Sequence, residues 1–409
     1  MTEETSTFEV RQSQFIDSRE LNEGLPQIPY LYDSVGALIT DEQSIRAIQE
    51  ASDSEIPSSV KAFIMEHCTL FPEDEKLIAM RNSNYFSYVT QIGTRDEKIN
   101  SSEVFDTLGG ITNLIDEMSK SISQDKPAEE QKLALLCLLD HGKGIALKLL
   151  DNEFNTAQFK PAENYEPAVF LAQAYVDAYY SLLIDGVAPD SEEVISSYKL
   201  LNRQKLHNPS DPEKQKNAYG DWIREMDNPL LIVFQVNRIC NEIEKGLQCD
   251  VVLTPFQGAS EIGFALKARI KMRKKVPVPE IIPIKYGGKQ ARSGVTPKNL
   301  FTKGFDAVSA ISRKHVWIVD DNIVTGNTQV MLSKMIAEQY DPADIKASVV
   351  QVSDGKIQED LEPQLKKLLA TRAVSATFAE YAVPEENIDI YRFRLPLEPA
   401  LKQLAYGSS

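Results

Sequence analysis

Short apolar segments alternate with helical patterns in residues 249–352, and this alternation limits the fold more than any other feature of the sequence. Strand-like runs are expected at 249–255, 280–286, 314–321 and 345–352, and helices at 229–246, 259–275 and 325–340. Since these strands are largely apolar, both of their sides must be covered, as in a parallel sheet between two layers of helices. The sequence therefore predicts a parallel α/β domain, and residues 225–409 are assigned to it.

The preceding part of the chain has helical periodicity instead. Residues 36–206 are predicted to form a mainly α-helical domain, with helices at 58–68, 73–92, 104–122, 129–151, 167–184 and 191–205. An irregular arm, residues 1–35, is expected before it, and the polar stretch 207–224 is a candidate linker. The segment HGKG at 141–144 lies inside a helical pattern and predicts a helix break or kink.

The net charge of −16 is concentrated in the first half of the chain. Residues 1–225 contain 20 Lys and Arg against 39 Asp and Glu, whereas residues 226–409 contain 24 against 21. An acidic surface repels nucleic acid, so nucleic-acid binding is not expected. An anionic ligand is expected in the C-terminal half, although its basic segment 266–275 is interpreted as surface.

Cysteine usage and hydropathy indicate a reduced, cytoplasmic protein. Cys68, Cys137, Cys240 and Cys249 lack CxxC spacing, and no His–Cys pair has zinc-ligand spacing. The apolar runs are too short to span a bilayer, and the polar N-terminus lacks the features of a secretory signal. We therefore expect structural thiols, no structural metal and no membrane segment.

The candidate ligand site lies in HVWIVDDNIVTGNTQVML, residues 315–332. Asp320 and Asp321 follow an apolar strand directly, although carboxylates near a core are costly unless they are partnered. The loop after them leads into a helix N-terminus, which favours a phosphate group, and Gly326 allows close backbone approach. Carboxylates accept hydrogen bonds from hydroxyl groups, so the segment suits a sugar 5-phosphate with two vicinal hydroxyls. Such a ligand would leave both aspartates hydrogen-bonded and partly solvated. An ordinary parallel strand followed by a helix N-cap is the alternative.

The thirteen residues VWIVDDNIVTGNT, 316–328, resemble the phosphoribosyl pyrophosphate (PRPP) binding motif of type I phosphoribosyltransferases. The resemblance covers about residues 225–395 and implies a type I phosphoribosyltransferase-like fold there. It implies that Asp320 and Asp321 bind the ribose 2- and 3-hydroxyls. It also implies a 5-phosphate cradle made of Thr325, Gly326, Asn327 and Thr328.

Two further segments resemble this family in the expected order. Residues 249–260 resemble the first core strand and its pyrophosphate loop, with Phe256, Gln257 and Gly258 at the turn. Many members have Arg or Lys where this chain has Gln257. Residues 282–304 resemble the flexible catalytic loop, in which the cations that would meet the departing pyrophosphate are Lys285, Lys289 and Arg292. A solvated basic loop is the alternative for these three side chains.

The resemblance implies transfer of phosphoribose from PRPP to a small nitrogenous acceptor, with release of pyrophosphate. Magnesium would be held largely by the substrate, with no protein ligand directly assigned. Val324 stands where 6-oxopurine enzymes usually carry Asp, which argues against hypoxanthine and guanine. Residues 221–240 and 380–396 are candidates for acceptor recognition. The second segment includes Tyr391, Arg392, Phe393 and Arg394, for which an edge strand is the alternative.

Two other functions fit the same motif. One is a non-catalytic sensor of PRPP or a nucleotide, which Gln257 favours, and the other is an effector that cleaves a nucleotide. The acid pair and the cations of the 285–292 region favour the transferase. The helical domain matches no family that we recognise, and its sequence is compatible with binding of a protein partner, with regulation and with a lid over the site. Formation of a homo-oligomer is left open for the whole chain.

Overall fold

The computed structural model describes residues 15–16, 47–67, 101–122, 129–186, 188, 190–207, 229–256, 259–286, 300–323, 326–352, 361–371 and 373–375. The chain divides into two compact units, which are treated separately below. The helical unit comprises Pro29–Asn228 and Glu385–Pro396, and the α/β unit comprises Met1–Ile28, Pro229–Pro384 and Leu397–Ser409. The predicted helix at 73–92, nearly all of the predicted linker and the segment 380–396 lie outside the described residues.

The helical unit contains five of the six predicted helices, and the one at 73–92 lies outside the described residues. The helix predicted at 129–151 ends six residues later, the one predicted at 191–205 ends six residues earlier, and the other predicted ends agree within three residues. Its elements are α1 (Ser58–His67), α2 (Ser101–Ser121), α3 (Glu129–Ala157), α4 (Tyr165–Asp185), α5 (Ser191–Lys199) and a 3-10 turn (Arg203–Lys205). Helix α3 packs against α1, α2 and α4 and is buried on nearly all sides. Helical character in this unit is therefore confirmed.

The break predicted at HGKG is wrong, because α3 runs through residues 141–144 without interruption. A Cβ atom on Gly142 would lie 2.1 Å from Cε1 of Tyr175 in α4. The glycine is therefore explained by the close approach of two helices, since a side chain there would collide with an aromatic ring.

Helix α3 also buries charged side chains, and each of three carboxylates on it has a partner. Asp140 Oδ1 lies 3.0 Å from Lys143 Nζ, and Asp151 Oδ2 lies 3.4 Å from Lys148 Nζ. The Lys143 ammonium also lies 3.9 Å from the centroid of the Tyr179 ring, a cation–π arrangement. Glu153 accepts two hydrogen bonds from His207, one from its backbone N–H at 2.9 Å and one at ring Nδ1 at 3.0 Å.

The α/β unit contains a six-stranded parallel sheet, which confirms the predicted fold class. Its strands are β1 (Phe15–Ile16), β2 (Val251–Pro255), β3 (Glu280–Ile284), β4 (His315–Ile323), β5 (Asp344–Val352) and β6 (Ala373–Ser375), in the spatial order β1-β6-β5-β4-β2-β3. Its helices are α6 (Pro229–Glu244), α7 (Ser260–Arg273), α8 (Ala307–Ile311), α9 (Asn327–Tyr340) and α10 (Glu362–Leu368).

Helices cover both faces of this sheet. Residues of α8, α9 and α10 share one apolar core with alternate residues of the strands, such as Leu253, Ile318 and Val349. Helix α7 lies against the opposite face, where Gly263 lets it approach the side chains of Thr254 and Ile281. Period-two alternation along each strand therefore supplies two apolar surfaces, as the uninterrupted apolar runs predicted.

Two expectations about the strands need correction. The predicted strand at 314–321 continues to Ile323, so the two aspartates lie within β4 instead of at its end. The predicted irregular arm contributes β1, in which Phe15 pairs with Ala373 and Ile16 with Val374. The rest of that arm lies outside the described residues. Within the described part of the chain, no helix combines the length and hydropathy needed to cross a lipid bilayer.

Candidate functional site

The order of the strands marks one position in the sheet for ligand binding. Strands β2 and β4 are neighbours, but the chain leaves β2 through α7 towards β3 on one side and leaves β4 through α9 towards β5 on the other. In open parallel sheets, ligands bind in the crevice beyond the carboxyl ends of two strands whose connections diverge in this way. The loops that follow β2 and β4 therefore border the expected crevice.

The pairing of the strands shows where this crevice opens. Strand β2 pairs with β4 only as far as Leu253 and Ile318. Beyond these residues β2 stays paired with β3, and β4 stays paired with β5 as far as Ile323 and Val352. The last residues of β2 therefore pair only with β3, and the last residues of β4 pair only with β5, so the two strands separate there. Asp320 lies in the part of β4 that pairs with β5 but no longer with β2.

Asp320 is buried, with 6% of its surface exposed. Its Oδ2 accepts a hydrogen bond from Gln329 Nε2 at 2.6 Å, and its Oδ1 accepts one from the backbone N–H of Asp321 at 3.0 Å. Asp320 forms no ion pair with a described residue. Burial raises the pKa of the Asp320 carboxyl well above its ordinary value, and the neighbouring Asp321 carboxylate raises this pKa further.

Asp321 is partly exposed, so the two carboxylates differ in their surroundings. The expectation of two partly solvated aspartates agrees with the exposure of Asp321 and is wrong for Asp320. The reason is the extra length of β4, which keeps Asp320 inside the sheet beneath the start of α9.

The start of α9 is formed by a glycine that no other residue could replace without strain. Gly326 is the N-cap residue and has a φ of 87°, in the left-handed region. A Cβ atom there would also lie 2.3 Å from Cδ1 of Leu365 in α10. The first turn of α9 follows at once with Asn327 and Thr328, both partly exposed. Three of the four residues of the predicted phosphate cradle therefore lie together, and Thr325 lies outside the described residues.

The segment after β2 is described only in part. Phe256 is buried, and its backbone N–H donates to the carbonyl of Ile284 at 2.7 Å, while Gln257 and Gly258 lie outside the described residues. Two buried hydroxyl oxygens near this turn, Thr254 Oγ1 and Ser260 Oγ, have no hydrogen-bond partner among the described residues. Sequence reasoning missed both, although a threonine inside an apolar strand and a serine at the start of a helix were visible signals.

Of the three predicted catalytic cations, the structure places one. Lys285 directly follows β3 and is partly buried, and its backbone N–H donates to the carbonyl of Leu300 at 2.8 Å. It therefore lies at the carboxyl edge of the sheet, one strand away from β2. Lys289 and Arg292 lie outside the described residues, so their assignment stays a prediction.

Part of one predicted acceptor-recognition segment covers the sheet. Residues 229–240 belong to α6, in which Gln235 is fully buried and donates through Nε2 to Thr371 Oγ1 at 2.5 Å. Thr371 in turn contacts Ser348 Oγ at 3.3 Å. Gln235 thus contacts Thr371, which lies between α10 and β6, and residues 221–228 lie outside the described residues.

Gln329 is a site residue that sequence reasoning missed. It is the third residue of α9, where Gln commonly turns back to bond the start of its own helix, so its position was a usable signal. No group of three or more His, Cys, Asp or Glu residues suited to a metal ion occurs in the described ranges. Comparison of the sequence with protein-family models and with curated proteins finds no match.

Proposed function

We propose that the α/β unit binds PRPP and transfers its phosphoribose to a nitrogenous acceptor, with release of pyrophosphate. The observation that carries the proposal is the placement of the acid pair and the first turn of α9 on one strand–loop–helix segment, at the point where the connections of the sheet diverge. Hydroxyl-binding and phosphate-binding groups are needed together for a sugar 5-phosphate, and this segment supplies both.

The strand order supports a type I phosphoribosyltransferase-like fold for this unit. Strands β3, β2, β4, β5 and β6 form the order 2-1-3-4-5 when they are numbered from β2. This doubly wound order places a phosphate-bearing ligand at the boundary between strands 1 and 3, which here are β2 and β4. The acid pair and the start of α9 lie on the β4 side of that boundary.

Different described residues would bind the 5-phosphate and the two ribose hydroxyls. The first backbone N–H groups of α9 and the Thr328 hydroxyl would meet the 5-phosphate, because a helix N-terminus has unpaired donors and a partial positive charge. Asp321 is partly exposed and would accept a hydrogen bond from one ribose hydroxyl. Asp320 lies deeper and would accept from the other, since each carboxylate oxygen can accept a second bond.

The chemistry requires charge to be stabilised at the leaving group. Lys285 is the described cation at the carboxyl edge of β3 and would lie towards the departing pyrophosphate. Magnesium, which prefers oxygen ligands, would neutralise the pyrophosphate as part of the substrate complex, and the Asp321 carboxylate is an oxygen ligand of a suitable type. Holding phosphate, hydroxyls and leaving group in one geometry would supply much of the catalysis by positioning.

Calorimetric titration of the intact chain with PRPP, with and without magnesium, tests the proposal. We expect magnesium-dependent binding that weakens roughly a hundredfold in the Asp320→Asn/Asp321→Asn variant, because two charge-assisted hydrogen bonds are lost. Asp341→Asn/Asp344→Asn is the matched control. It removes two carboxylates after the far end of α9 and at the start of β5, and should bind as the unmodified chain does. Pyrophosphate release with a panel of nitrogenous acceptors follows. Absence of PRPP binding by the folded chain would contradict the proposal.

A non-catalytic sensor of PRPP or a nucleotide is a second candidate, which the enclosure of Asp320 favours. Both oxygens of this carboxylate already accept hydrogen bonds within the protein. Such a fixed arrangement suits a binding site as well as a catalytic one. Binding of PRPP with no pyrophosphate release across the acceptor panel would favour the sensor.

A further inference from the structure

We infer that Gln329 is a positioning residue, which fixes the Asp320 carboxylate relative to the first turn of α9 so that one ligand meets the hydroxyl-binding and phosphate-binding groups together. The inference rests on the proposed function of this site. It assigns to Gln329 a role that acts through Asp320 and requires no contact with the ligand.

The hydrogen bond between the two residues joins both ends of the ligand loop. Gln329 Nε2 lies 2.6 Å from Asp320 Oδ2, and both side chains are buried. Asp320 belongs to β4 and Gln329 to α9, so this bond spans every residue proposed to touch the phosphate. A glutamine at the third helical position usually bonds the start of its own helix. Here its amide donates to Asp320 in the preceding strand.

Two further contacts make this part of the site stiff. The backbone N–H of Asp321 donates to Asp320 Oδ1 at 3.0 Å, so both oxygens of the buried carboxylate are held. On the α10 side of the loop, Leu365 lies against Gly326. With Gly326 and the carboxylate both fixed, the distance between phosphate and hydroxyl positions is set before a ligand arrives. Such preorganisation favours the ligand whose groups have that spacing.

Gln329 is the part of this arrangement that a side-chain substitution can change. The Asp321 donor belongs to the backbone, whereas the Gln329 donor belongs to a side chain. Methionine has a similar length and no amide donor, so Gln329→Met tests the bond with little change in volume. Ser333→Ala, one turn further along the same helix, is the matched control, because among the described residues its hydroxyl bonds only to the Val330 carbonyl, at 2.8 Å.

Binding of ribose 5-phosphate and of inorganic phosphate to the intact chain measures the effect. We expect Gln329→Met to weaken ribose 5-phosphate binding roughly tenfold, since one charge-assisted hydrogen bond no longer orients Asp320. Inorganic phosphate, which carries no ribose hydroxyls, should be affected by less than about twofold. In the Asp320→Asn background, Gln329→Met should cost nothing further, because the group through which it acts is already changed.

A second measurement needs no ligand and separates this inference from the proposed function. The ¹³C carboxyl signal of Asp320, assigned as the one that Asp320→Asn removes, should titrate at higher pH in Gln329→Met, since loss of the amide donor destabilises the ionised carboxylate. If this shift occurs but the unmodified chain binds neither PRPP nor ribose 5-phosphate, the proposed function is wrong while the contact of Gln329 with Asp320 is established.

The positioning role would be overturned by any of three results. These are no change in the Asp320 titration, an equal loss of phosphate and ribose 5-phosphate binding, and a loss that persists in the Asp320→Asn background. Circular dichroism of each variant verifies folding. Gln329→Leu, which also lacks the amide donor, replaces Gln329→Met if the methionine variant does not fold.

Discussion

Both units of this protein bury carboxylates, but they stabilise them differently. In the helical unit, Asp140 pairs with Lys143 and Asp151 pairs with Lys148. In the α/β unit, Asp320 is held by the amide of Gln329 and a backbone N–H, and the charge closest to it is another carboxylate, Asp321. The helical unit thus pairs these two buried carboxylates with lysines of the same helix, whereas the α/β unit places two carboxylates side by side.

This difference separates structural burial from functional burial. A buried ion pair needs no group from outside, and breaking it leaves a charge in an apolar environment. Adjacent carboxylates at the end of a parallel strand raise each other's pKa and gain hydrogen bonds when a ligand with hydroxyl groups arrives. We therefore interpret the charged residues of α3 as structural ion pairs of the helical unit. We interpret the acid pair of β4 as a ligand-binding feature of the α/β unit.

The largest expected effect is that of removing one member of a helical ion pair. Lys143→Met leaves the Asp140 carboxylate buried without this cation and should lower the free energy of unfolding by about 3–5 kcal/mol. The double variant Asp140→Leu/Lys143→Met removes both charges and should recover most of that loss. Urea unfolding followed by circular dichroism measures both values.

Lys120→Met provides the matched control for this prediction. Lys120 pairs with Asp116, four residues earlier in α2, but its side chain is largely exposed. Exposed pairs contribute little, so this variant should change the free energy of unfolding by less than about 1 kcal/mol. Equal losses for Lys143→Met and Lys120→Met would mean that burial does not distinguish the two pairs, and the contrast between the units would fail.

A smaller effect is expected from the packing that encloses the helical ion pair. Gly142 lies between Asp140 and Lys143, and a Cβ there would lie 2.1 Å from Tyr175. Gly142→Ala should therefore lower the free energy of unfolding by about 1–3 kcal/mol, despite the higher helix propensity of alanine. Thermal unfolding of the purified variant measures it.

Gly110→Ala in α2 is the control of opposite sign. Among the described residues, a Cβ at Gly110 would meet nothing within 4 Å, so helix propensity should decide the effect, and the variant should gain about 0.5–1 kcal/mol. A gain at both positions would show that α4 does not need the close approach at Gly142 to enclose the ion pair.

The sequence predicted those features that depend on periodicity and on short-range chemistry. The apolar runs of β2, β4 and β5 predicted a parallel sheet, and the strand–loop–helix segment at 315–332 predicted a candidate site. Asp320 and Gly142 show what the sequence could not predict. Nothing local indicates that β4 continues past its acid pair or that Tyr175 lies against α3. Both depend on contacts between residues far apart in the chain, which a local pattern does not contain.

The smallest expected effect concerns pH, and it compares Asp320 with an aspartate at the other end of the sheet. Asp250 precedes β2, and its Oδ2 accepts the backbone N–H of His315 at 2.8 Å and lies 2.9 Å from its ring Nδ1. The hydrogen bond from the His315 backbone, together with burial that acts in the opposite sense, leaves the pKa of Asp250 below its ordinary value. Burial raises the pKa of Asp320 above its ordinary value instead.

The two shifts have opposite consequences for stability. A raised carboxyl pKa favours the folded state at low pH, and that contribution is lost as the pH rises through the folded-state pKa. The free energy of unfolding of Asp320→Asn, relative to the unmodified chain, should therefore increase as the pH rises above about 4. Urea unfolding at a series of pH values measures this difference.

Asp250→Asn should show the reverse dependence. A lowered carboxyl pKa stabilises the folded state above the unfolded-state pKa of about 3.9, so the loss caused by Asp250→Asn should be present at neutral pH and disappear as the pH falls below about 4. Because Asp250 is partly exposed, solvent screening keeps this loss below about 1 kcal/mol. If Asp320→Asn followed the same pH dependence as Asp250→Asn, Asp320 would be ionised and stabilised within the protein itself. The acid pair would then resemble the paired carboxylates of the helical unit, and the burial of Asp320 would no longer support a ligand site at β4.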